Sequence, residues 1–221
     1  MERTVVVASG GLDSSTLLYL LKDKGHEVEA LAFDYGQRHR VELERAEEIS
    51  RKLGIAFQLV SIEPIGKLIA GKSSQLNLEV AVPEGHYESK SMKTTVVPNR
   101  NMIFLSIAVG RAIALGFSNV AFGAHSGDHA IYPDCRQDFS KTLAKAVELC
   151  DWKKINLISP FVQFKKWEIV LLGSTLGVPF ERTWSCYKGG TRHCGRCGTC
   201  VERREAFSLA GVTDPTEYEN E

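Results

Sequence analysis

The chain has 221 residues, 27 basic and 27 acidic side chains, and a hydrophobic fraction of 43%. This length fits one generous domain with a substantial core, and the balanced charge argues against a protein that coats nucleic acid. No run approaches the ~18 apolar residues of a membrane span, and the N-terminus lacks a signal-peptide pattern, so we expect a cytoplasmic protein outside the membrane.

Strands and helices are predicted to alternate along the chain. Residues 4–8 form an unalternating apolar run, typical of a strand buried on both faces, and residues 14–24 follow as a helix closed by Gly25. The later elements are strand 27–33, helix 41–53, strand 56–62, helix 101–116, strand 119–124, helix 138–150, strand 155–160 and helix 165–176. The alternation predicts an α/β fold, a parallel five-stranded sheet with helices on both faces, whose ligands bind at the carboxyl ends of the strands.

The first loop, Ser9–Ser14 (SGGLDS), joins strand to helix and is a candidate phosphate site. Backbone N–H groups at a helix N-terminus lack partners, and the helix dipole favours an anion there. Gly10 and Gly11 allow phosphate to approach the backbone closely, and the serine hydroxyls add donors. Asp13 would repel phosphate unless Mg²⁺ lies between them, or it caps the helix. The alternative is a capped glycine turn without a ligand.

Two further stretches have sequences that could suggest a nucleotide site, and only the second is kept as a candidate. Residues 66–73 match the G-x4-G-K-S pattern, but a true P-loop starts directly at a strand end, so we predict a short helix ending at Gly71. After the second strand, Asp34 and Tyr35 are candidates for contacts with ribose or adenine, and Arg38 or His39 for a contact with phosphate. An ordinary solvated loop is the alternative for these residues.

Four cysteines near the C-terminus predict a structural zinc site. Their spacing supplies four soft ligands with no open position, from Cys186, Cys194, Cys197 and Cys200. An iron–sulfur cluster, His193 in place of one thiolate, or free thiols remain alternatives. We therefore divide the chain into an α/β domain, 1–181, and a zinc-binding segment, 182–221, whose acidic end from residue 213 we expect to be frayed.

Five motifs in register resemble one family. SGGLDSS looks like the signature of the ATP pyrophosphatase superfamily, whose fold is adenine nucleotide alpha hydrolase-like. Together with FDYGQRH, VPNRNMIFLSIA, YPDCR and the cysteine cluster, it resembles the QueC family from about residue 4 to 210. The resemblance implies conversion of 7-carboxy-7-deazaguanine and ammonia, with ATP and Mg²⁺, to the nitrile used for queuosine or archaeosine. It also implies a homodimer that acts on small molecules without binding tRNA directly.

The resemblance also assigns roles to residues. Pyrophosphate and Mg²⁺ would be held by the first loop and its flanks, namely Ala8, Ser9, Gly10, Gly11, Leu12, Asp13, Ser14 and Ser15. Lys166 would neutralise charge on phosphate, with a solvated helix start as the alternative. Asp134 would accept hydrogen bonds from the deazaguanine edge and Arg136 would pair with a carboxylate or phosphate, or the two would form a structural pair.

Several residues near these motifs have less definite roles. Residues 99–101 cap the following helix or line the pocket, and His125 and His129 have no assigned role. Cys135 is not needed as a nucleophile, because adenylation already activates the substrate. No general base for ammonia is identified.

Two rival functions follow from the same motifs. A tRNA thiolase of the superfamily would need a tRNA-binding domain or basic face and a catalytic cysteine pair near the ATP loop. A zinc-stabilised nucleotide-binding module would bind ATP without turnover.

Overall fold

A parallel sheet organises the molecule. The computed structural model describes residues 1–219, and its five strands lie in the order β3-β2-β1-β4-β5 with every neighbouring pair parallel. The strands are β1 Arg3–Val7, β2 Glu27–Asp34, β3 Ala56–Ser61, β4 Asn119–Ala121 and β5 Asn156–Ile158. The helices are α1 Leu12–Asp23, α2 Val41–Lys52, α3 Glu63–Ile69, α4 Arg100–Leu115, α5 Gln137–Val147, α6 Lys166–Thr175 and α7 Gly198–Ala210. The predicted α/β fold is confirmed.

The central strand β1 is apolar from Val5 to Val7 because helices cover both faces of the sheet. Val5 packs in a cluster with Leu105 of α4, whereas Val6, pointing the opposite way, packs with Leu17 of α1 and Ile169 of α6. Each of these side chains is at most 1% exposed. A strand with two buried faces shows no polar alternation, which is the pattern seen in the sequence.

The strand order places a topological switch point between β1 and β4. The chain moves outward from β1 through β2 to β3, then returns across the sheet to β4, the other neighbour of β1. The connections that leave β1 and β4 therefore diverge and leave a crevice at the carboxyl edge, where ligands of such sheets bind.

The last two strands along the chain are shorter than predicted from the sequence. Strand β4 ends at Ala121 rather than at residue 124, and β5 ends at Ile158. Beyond β4 the chain turns toward α1, where a Cβ on Gly123 would lie 3.3 Å from the Asp13 carbonyl carbon. Residues 122–124 therefore line the crevice and are not part of strand β4.

Helix α7 and the chain that follows it differ from expectation. The last helix predicted from the sequence was 165–176, so α7 was not foreseen, and the expectation of a frayed end was wrong for the described residues. The fully buried guanidinium of Arg203 binds the Asp214 carboxylate and the Phe180 carbonyl. The Tyr218 hydroxyl donates to Asp214 at 2.6 Å. The segment up to residue 219 is thus tied to the body, and the division at residue 181/182 remains a prediction.

The P-loop-like stretch begins within a helix, as predicted, but the helix ends at Ile69, before Gly71. Helix α3 spans Glu63–Ile69 and places Gly66 against Tyr35, where a Cβ would lie 1.8 Å from the Tyr35 carbonyl oxygen. Helix packing therefore accounts for this glycine. Among residues 1–219, no helix has the length and apolar character to cross a bilayer.

Candidate active site

A cavity of about 190 Å³ opens at the carboxyl ends of β1 and β4. Its walls come from the first loop, the end of β2, the start of α4, residues 122–124, residues 184–187 and Glu202 of α7. The cavity lies at the switch point that the strand order creates. Its two ends differ in chemistry, since one carries ionisable groups and the other aromatic rings.

The SGGLDS loop forms one wall. Six of the predicted pyrophosphate residues line the cavity, namely Ala8, Ser9, Gly11, Leu12, Asp13 and Ser14. The first N–H groups of any helix lack intrahelical partners, and no side chain caps those of α1. The Ser9 and Ser14 hydroxyls lie 3.2 Å apart and brace the turn.

The two glycines of this loop have different reasons to be glycine. At Gly10, φ is +77° and a Cβ would lie 2.1 Å from the Glu42 carbonyl oxygen, so the loop packs directly on α2. Gly11 lines the cavity and packs less tightly. Gly10 and the buried Ser15 are not part of the cavity wall.

Lys166 and Asp13 meet at the ionisable end, although 153 residues separate them in the chain. The Lys166 ammonium lies 2.6 Å from Asp13 Oδ2 and 3.6 Å from Glu202 Oε2. Burial alone would lower the pKa of Lys166, but the charges of Asp13, Glu202 and Asp128 outweigh it and raise that pKa above the usual value. Lys166 is therefore a fixed cation at neutral pH, whereas the neighbouring Lys165 is exposed.

Three further ionisable residues surround this pair. His125 is 1% exposed, and its Nε2 lies 3.5 Å from Asp128 Oδ1 and 3.8 Å from Glu202 Oε1. Its Nδ1 accepts the Gly127 N–H at 3.1 Å, which places the imidazole proton on Nε2, facing the carboxylates. Burial raises the pKa of Glu202.

Asp128 and Glu202 were not predicted as site residues from the sequence. Both are single acidic residues without a local motif, and they come together only through the fold. The one available signal was weak: Cys200 and Phe207 are apolar residues two helical turns apart, a spacing that favours a helix in the region that carries Glu202.

The opposite end of the cavity is aromatic. Phe33 at the end of β2 stacks on Phe104 of α4 at 4.4 Å between ring centroids, and Tyr35 contacts Phe104 edge-on at 5.3 Å. Burial raises the pKa of Tyr35 to about 12, so its hydroxyl is neutral. The guanidinium of Arg100 also lines this end. Flat apolar walls beside a cation suit a planar heterocycle that carries a negative group.

Outside the first loop, four more predicted site residues do not line the cavity. Asp34 accepts from the Gly36 N–H at 3.1 Å and pairs with Arg40. Arg38 donates to the carbonyls of Asn77 and Val80 at 3.0 Å.

The other two belong to the YPDCR motif. Asp134 accepts the Asn101 N–H in the first turn of α4 at 3.0 Å. Arg136 is exposed and donates to the His129 carbonyl at 2.9 Å. Asp134 thus caps α4 from outside that helix, in the position where we had expected residues 99–101 to act.

Cys135 borders the cavity as a thiol. Its sulfur lies 3.1 Å from Asn101 Nδ2. Burial, together with the negative charges of Asp128 and Asp134, raises its pKa well above the usual value. A protonated thiol is a poor nucleophile.

The four C-terminal cysteines converge on one point. All four are at most 1% exposed, and their sulfur atoms lie within 4.8 Å of one another. Like charges this close together repel one another, so the cluster can hold four thiolates only around a cation. His193 is not part of the group, because its Nε2 accepts the Ser185 N–H at 3.0 Å.

The cysteine cluster is joined to the cavity through the chain. Cys186 is flanked by Ser185 and Tyr187, and Cys200 lies two residues before Glu202, all three of which line the cavity. The predicted metal site thus fixes one wall of the cavity on two separate segments.

Comparison with known proteins identifies the family. The family model "Queuosine biosynthesis protein QueC" matches residues 3–211. A 7-cyano-7-deazaguanine synthase from Caldicellulosiruptor saccharolyticus is 49% identical over 99% of this chain and 96% of its own length. One from Methanoregula boonei is 48% identical over 98% and 99%.

Solved structures share the fold. The U34-tRNA thiolase NcsA from Methanococcus maripaludis, with its [4Fe-4S] cluster, superposes with a TM-score of 0.53 at 17% identity, over 99% of this chain and 74% of the thiolase. NMN synthetase from Francisella tularensis gives 0.54 at 17% identity, over 95% and 77%. At such identities only the fold is comparable, but the family match covers nearly the whole chain. The chain belongs to the QueC family, within the superfamily that its SGGLDSS loop indicated.

Proposed function

We propose that this chain converts 7-carboxy-7-deazaguanine and ammonia to 7-cyano-7-deazaguanine with ATP, for queuosine or archaeosine in tRNA. The observation that carries the proposal is a single cavity with the SGGLDS loop and Lys166 at one end and an aromatic recess at the other. The names of relatives about half identical to this chain support the same reaction.

The phosphates of ATP occupy the loop end in this proposal. The free N–H groups of the first turn of α1 and the space beside Gly11 receive pyrophosphate oxygens. The Lys166 ammonium offsets the negative charge that grows on the leaving pyrophosphate. Asp13 and Lys166 are the residues to which we assign catalytic roles, because both line the cavity and touch each other.

Asp13 also fits a role in binding Mg²⁺. Its Oδ2 pairs with Lys166, but its Oδ1 is buried and has no hydrogen-bond partner among the described residues. A hard carboxylate oxygen next to bound phosphates is the usual protein contribution to a Mg²⁺ site. Bound there, Mg²⁺ would neutralise phosphate charge.

The reaction needs ATP because the substrate oxygen becomes a leaving group only after it has been adenylated. A carboxylate oxygen attacks the α-phosphorus of ATP and expels pyrophosphate; ammonia then displaces AMP and gives the amide. The amide oxygen is activated in the same way, and loss of AMP and two protons leaves the nitrile. The chain holds the reactants in line and stabilises charge as it develops.

Zinc fits the cysteine cluster better than the alternatives. At a Zn–S distance of about 2.3 Å, tetrahedral geometry separates sulfurs by about 3.8 Å, and Cys197 and Cys200 sulfurs lie 3.4 Å apart. An iron–sulfur cubane attaches each cysteine to a different iron and needs wider spacing. Four thiolates leave no open position, so the zinc would be structural and hold α7 against the segment at Cys186.

The rival functions receive less support. A thiolase would use a reactive cysteine pair, but in residues 1–219 Cys135 is the single cysteine of the cavity wall and burial keeps it protonated. A module without catalysis would not need the Lys166–Asp13 pair beside free helix N–H groups. A homodimer, a cytoplasmic location suited to reduced thiols and no direct contact with tRNA complete the proposal.

The test is incubation with 7-carboxy-7-deazaguanine, ammonium and Mg-ATP, with bases and nucleotides measured by mass spectrometry. We expect amide and nitrile to form together with AMP. Asp13→Ala should abolish turnover without changing the circular dichroism spectrum. ATP binding without any amide or nitrile from the wild-type chain would overturn the proposed function.

A further inference from the structure

Arg100 lines the cavity and directly follows a residue with an unusual backbone conformation. It is the first residue of α4, and its side chain lines the aromatic end. The preceding residue, Asn99, has φ of 57° and is the only non-glycine residue with positive φ in the part of the chain described. Asparagine adopts this left-handed conformation at modest cost. Such backbone outliers concentrate at functional sites, where side-chain position outweighs local stability.

The Arg100 guanidinium has no counter-ion. Among the described residues, no carboxylate forms an ion pair with it, although the charge of Asp134 acts on it from a greater distance, and its one hydrogen bond is a long one of 3.5 Å to the Tyr35 hydroxyl. Asp134 is engaged with the Asn101 N–H. Arginine has five N–H donors, so most of them remain available to a ligand. A guanidinium held in an aromatic wall without an anion is a receptor for one.

The two cations of the cavity wall are therefore in different situations. Lys166 is already neutralised by Asp13 at 2.6 Å and lies at the loop end, where phosphates are expected. Arg100 is unpaired and lies beside the stacked rings of Phe33 and Phe104. A planar heterocycle packed against this stacked pair would present a planar carboxylate to the fork of the guanidinium, a geometry that permits two parallel hydrogen bonds.

We propose that Arg100 binds the carboxylate of the heterocyclic acid substrate and so serves the first stage of the reaction, acid to amide. This rests on the proposed function and deepens it. The amide is neutral and cannot form a charge-assisted pair, so the second stage, amide to nitrile, does not depend on Arg100 in this way. A residue that bound ATP phosphate would act in both stages, because each stage consumes ATP.

The experiment compares the binding of the acid and of 7-amido-7-deazaguanine to the zinc-loaded chain by calorimetry, without ATP. The variants are Arg100→Gln, which removes the charge, and Arg100→Lys, which keeps the charge but not the fork. Arg51→Gln is the control, since Arg51 is an exposed arginine outside the cavity wall. Thermal unfolding of each variant confirms that it is folded.

We expect Arg100→Gln to weaken acid binding by about 30-fold and amide binding by less than about threefold. Arg100→Lys should recover part of the acid affinity, and Arg51→Gln should change neither. The same split should appear in turnover, as a raised KM for the acid only. Equal losses for acid and amide, or no loss for either, would overturn the proposal. A wild-type chain that binds neither compound would instead overturn the proposed function.

Discussion

The contact between Lys166 and Asp13 gives the sharpest prediction about the site. Lys166→Met keeps most of the side-chain volume but removes the cation. It leaves the Asp13 carboxylate, now 2.6 Å from the ammonium, and the Glu202 carboxylate, now 3.6 Å from it, without their positive partner. Two unpaired negative charges then share the loop end of the cavity.

The magnitude follows from the burial of these groups. Breaking a buried pair by removing one partner costs about 3–5 kcal/mol, and the partial exposure of Asp13, at 21%, favours the lower end. For a domain of this size, about 3 kcal/mol lowers Tm by roughly 6–12 °C. Adding Asp13→Asn to Lys166→Met removes one of the two unpaired negative charges and should restore most of the lost stability.

The assay measures Tm by calorimetry and nitrile formation in parallel. The single variant should be less stable and the double variant close to wild type in stability, while turnover should fall by about a hundredfold or more in both. Lys165→Met, at the exposed neighbour, should change Tm by less than about 2 °C. A Lys166→Met protein as stable as wild type, or a double variant that regains turnover, would refute the charge-pairing argument.

The pH dependence has a definite sign. The pKa of Lys166 is raised in the folded state, so its contribution is complete below the unfolded value, about pH 10.4, and is lost as pH rises through the higher folded value. The difference in stability between wild type and Lys166→Met should therefore stay constant from about pH 7 to about pH 10 and shrink only above that.

Three further predictions follow from other features. Cys197→Ser should lose zinc in metal analysis and lower Tm, because three thiolates leave the site open; unchanged zinc content would contradict the assignment. Arg203→Met should lower the free energy of unfolding by about 3 kcal/mol, because it leaves the Asp214 carboxylate, 3.3 Å from the Arg203 Nε, without its cation. Adding Asp214→Asn should restore part of the Tm. A single variant with wild-type Tm would show that the Arg203–Asp214 pair does not stabilise the fold. Gly10→Ala should destabilise far more than Gly25→Ala, since both have positive φ but only Gly10 has backbone within 4 Å of its Cβ position; equal losses of Tm would mean that the packing on α2 is unimportant.

The fold could be predicted because its signals are local. The unalternating run of β1 and the glycines that close α1 and α4 mark buried strands and helix ends without any knowledge of neighbours. Helix α7 escaped prediction because its inward face carries Arg203, a charged residue at a position where the pattern calls for an apolar one. The compensating Asp214 lies outside the helix, so the exception is visible only in three dimensions.

The site could be predicted only where chemistry sits within a motif. The SGGLDS loop lines the cavity and the four cysteines converge, and in both cases the spacing of the residues within the motif had indicated the grouping. Arginines are harder, because Arg38, Arg100 and Arg136 all lie in motifs and nothing local tells which one faces the cavity. The fold turns Arg38 and Arg136 to backbone carbonyls and leaves Arg100 at the wall.

Helix α7 has a consequence for how this chain can diverge. A single turn of the helix carries Cys200 of the cysteine cluster, Glu202 of the cavity wall and Arg203, which binds Asp214. One inserted or deleted residue rotates everything beyond it by about 100° and would misplace several of these side chains at once. Evolution can therefore exchange side chains along this helix but cannot alter its length, and insertions should accumulate instead in the exposed stretch at residues 190–192 between two of the cysteines.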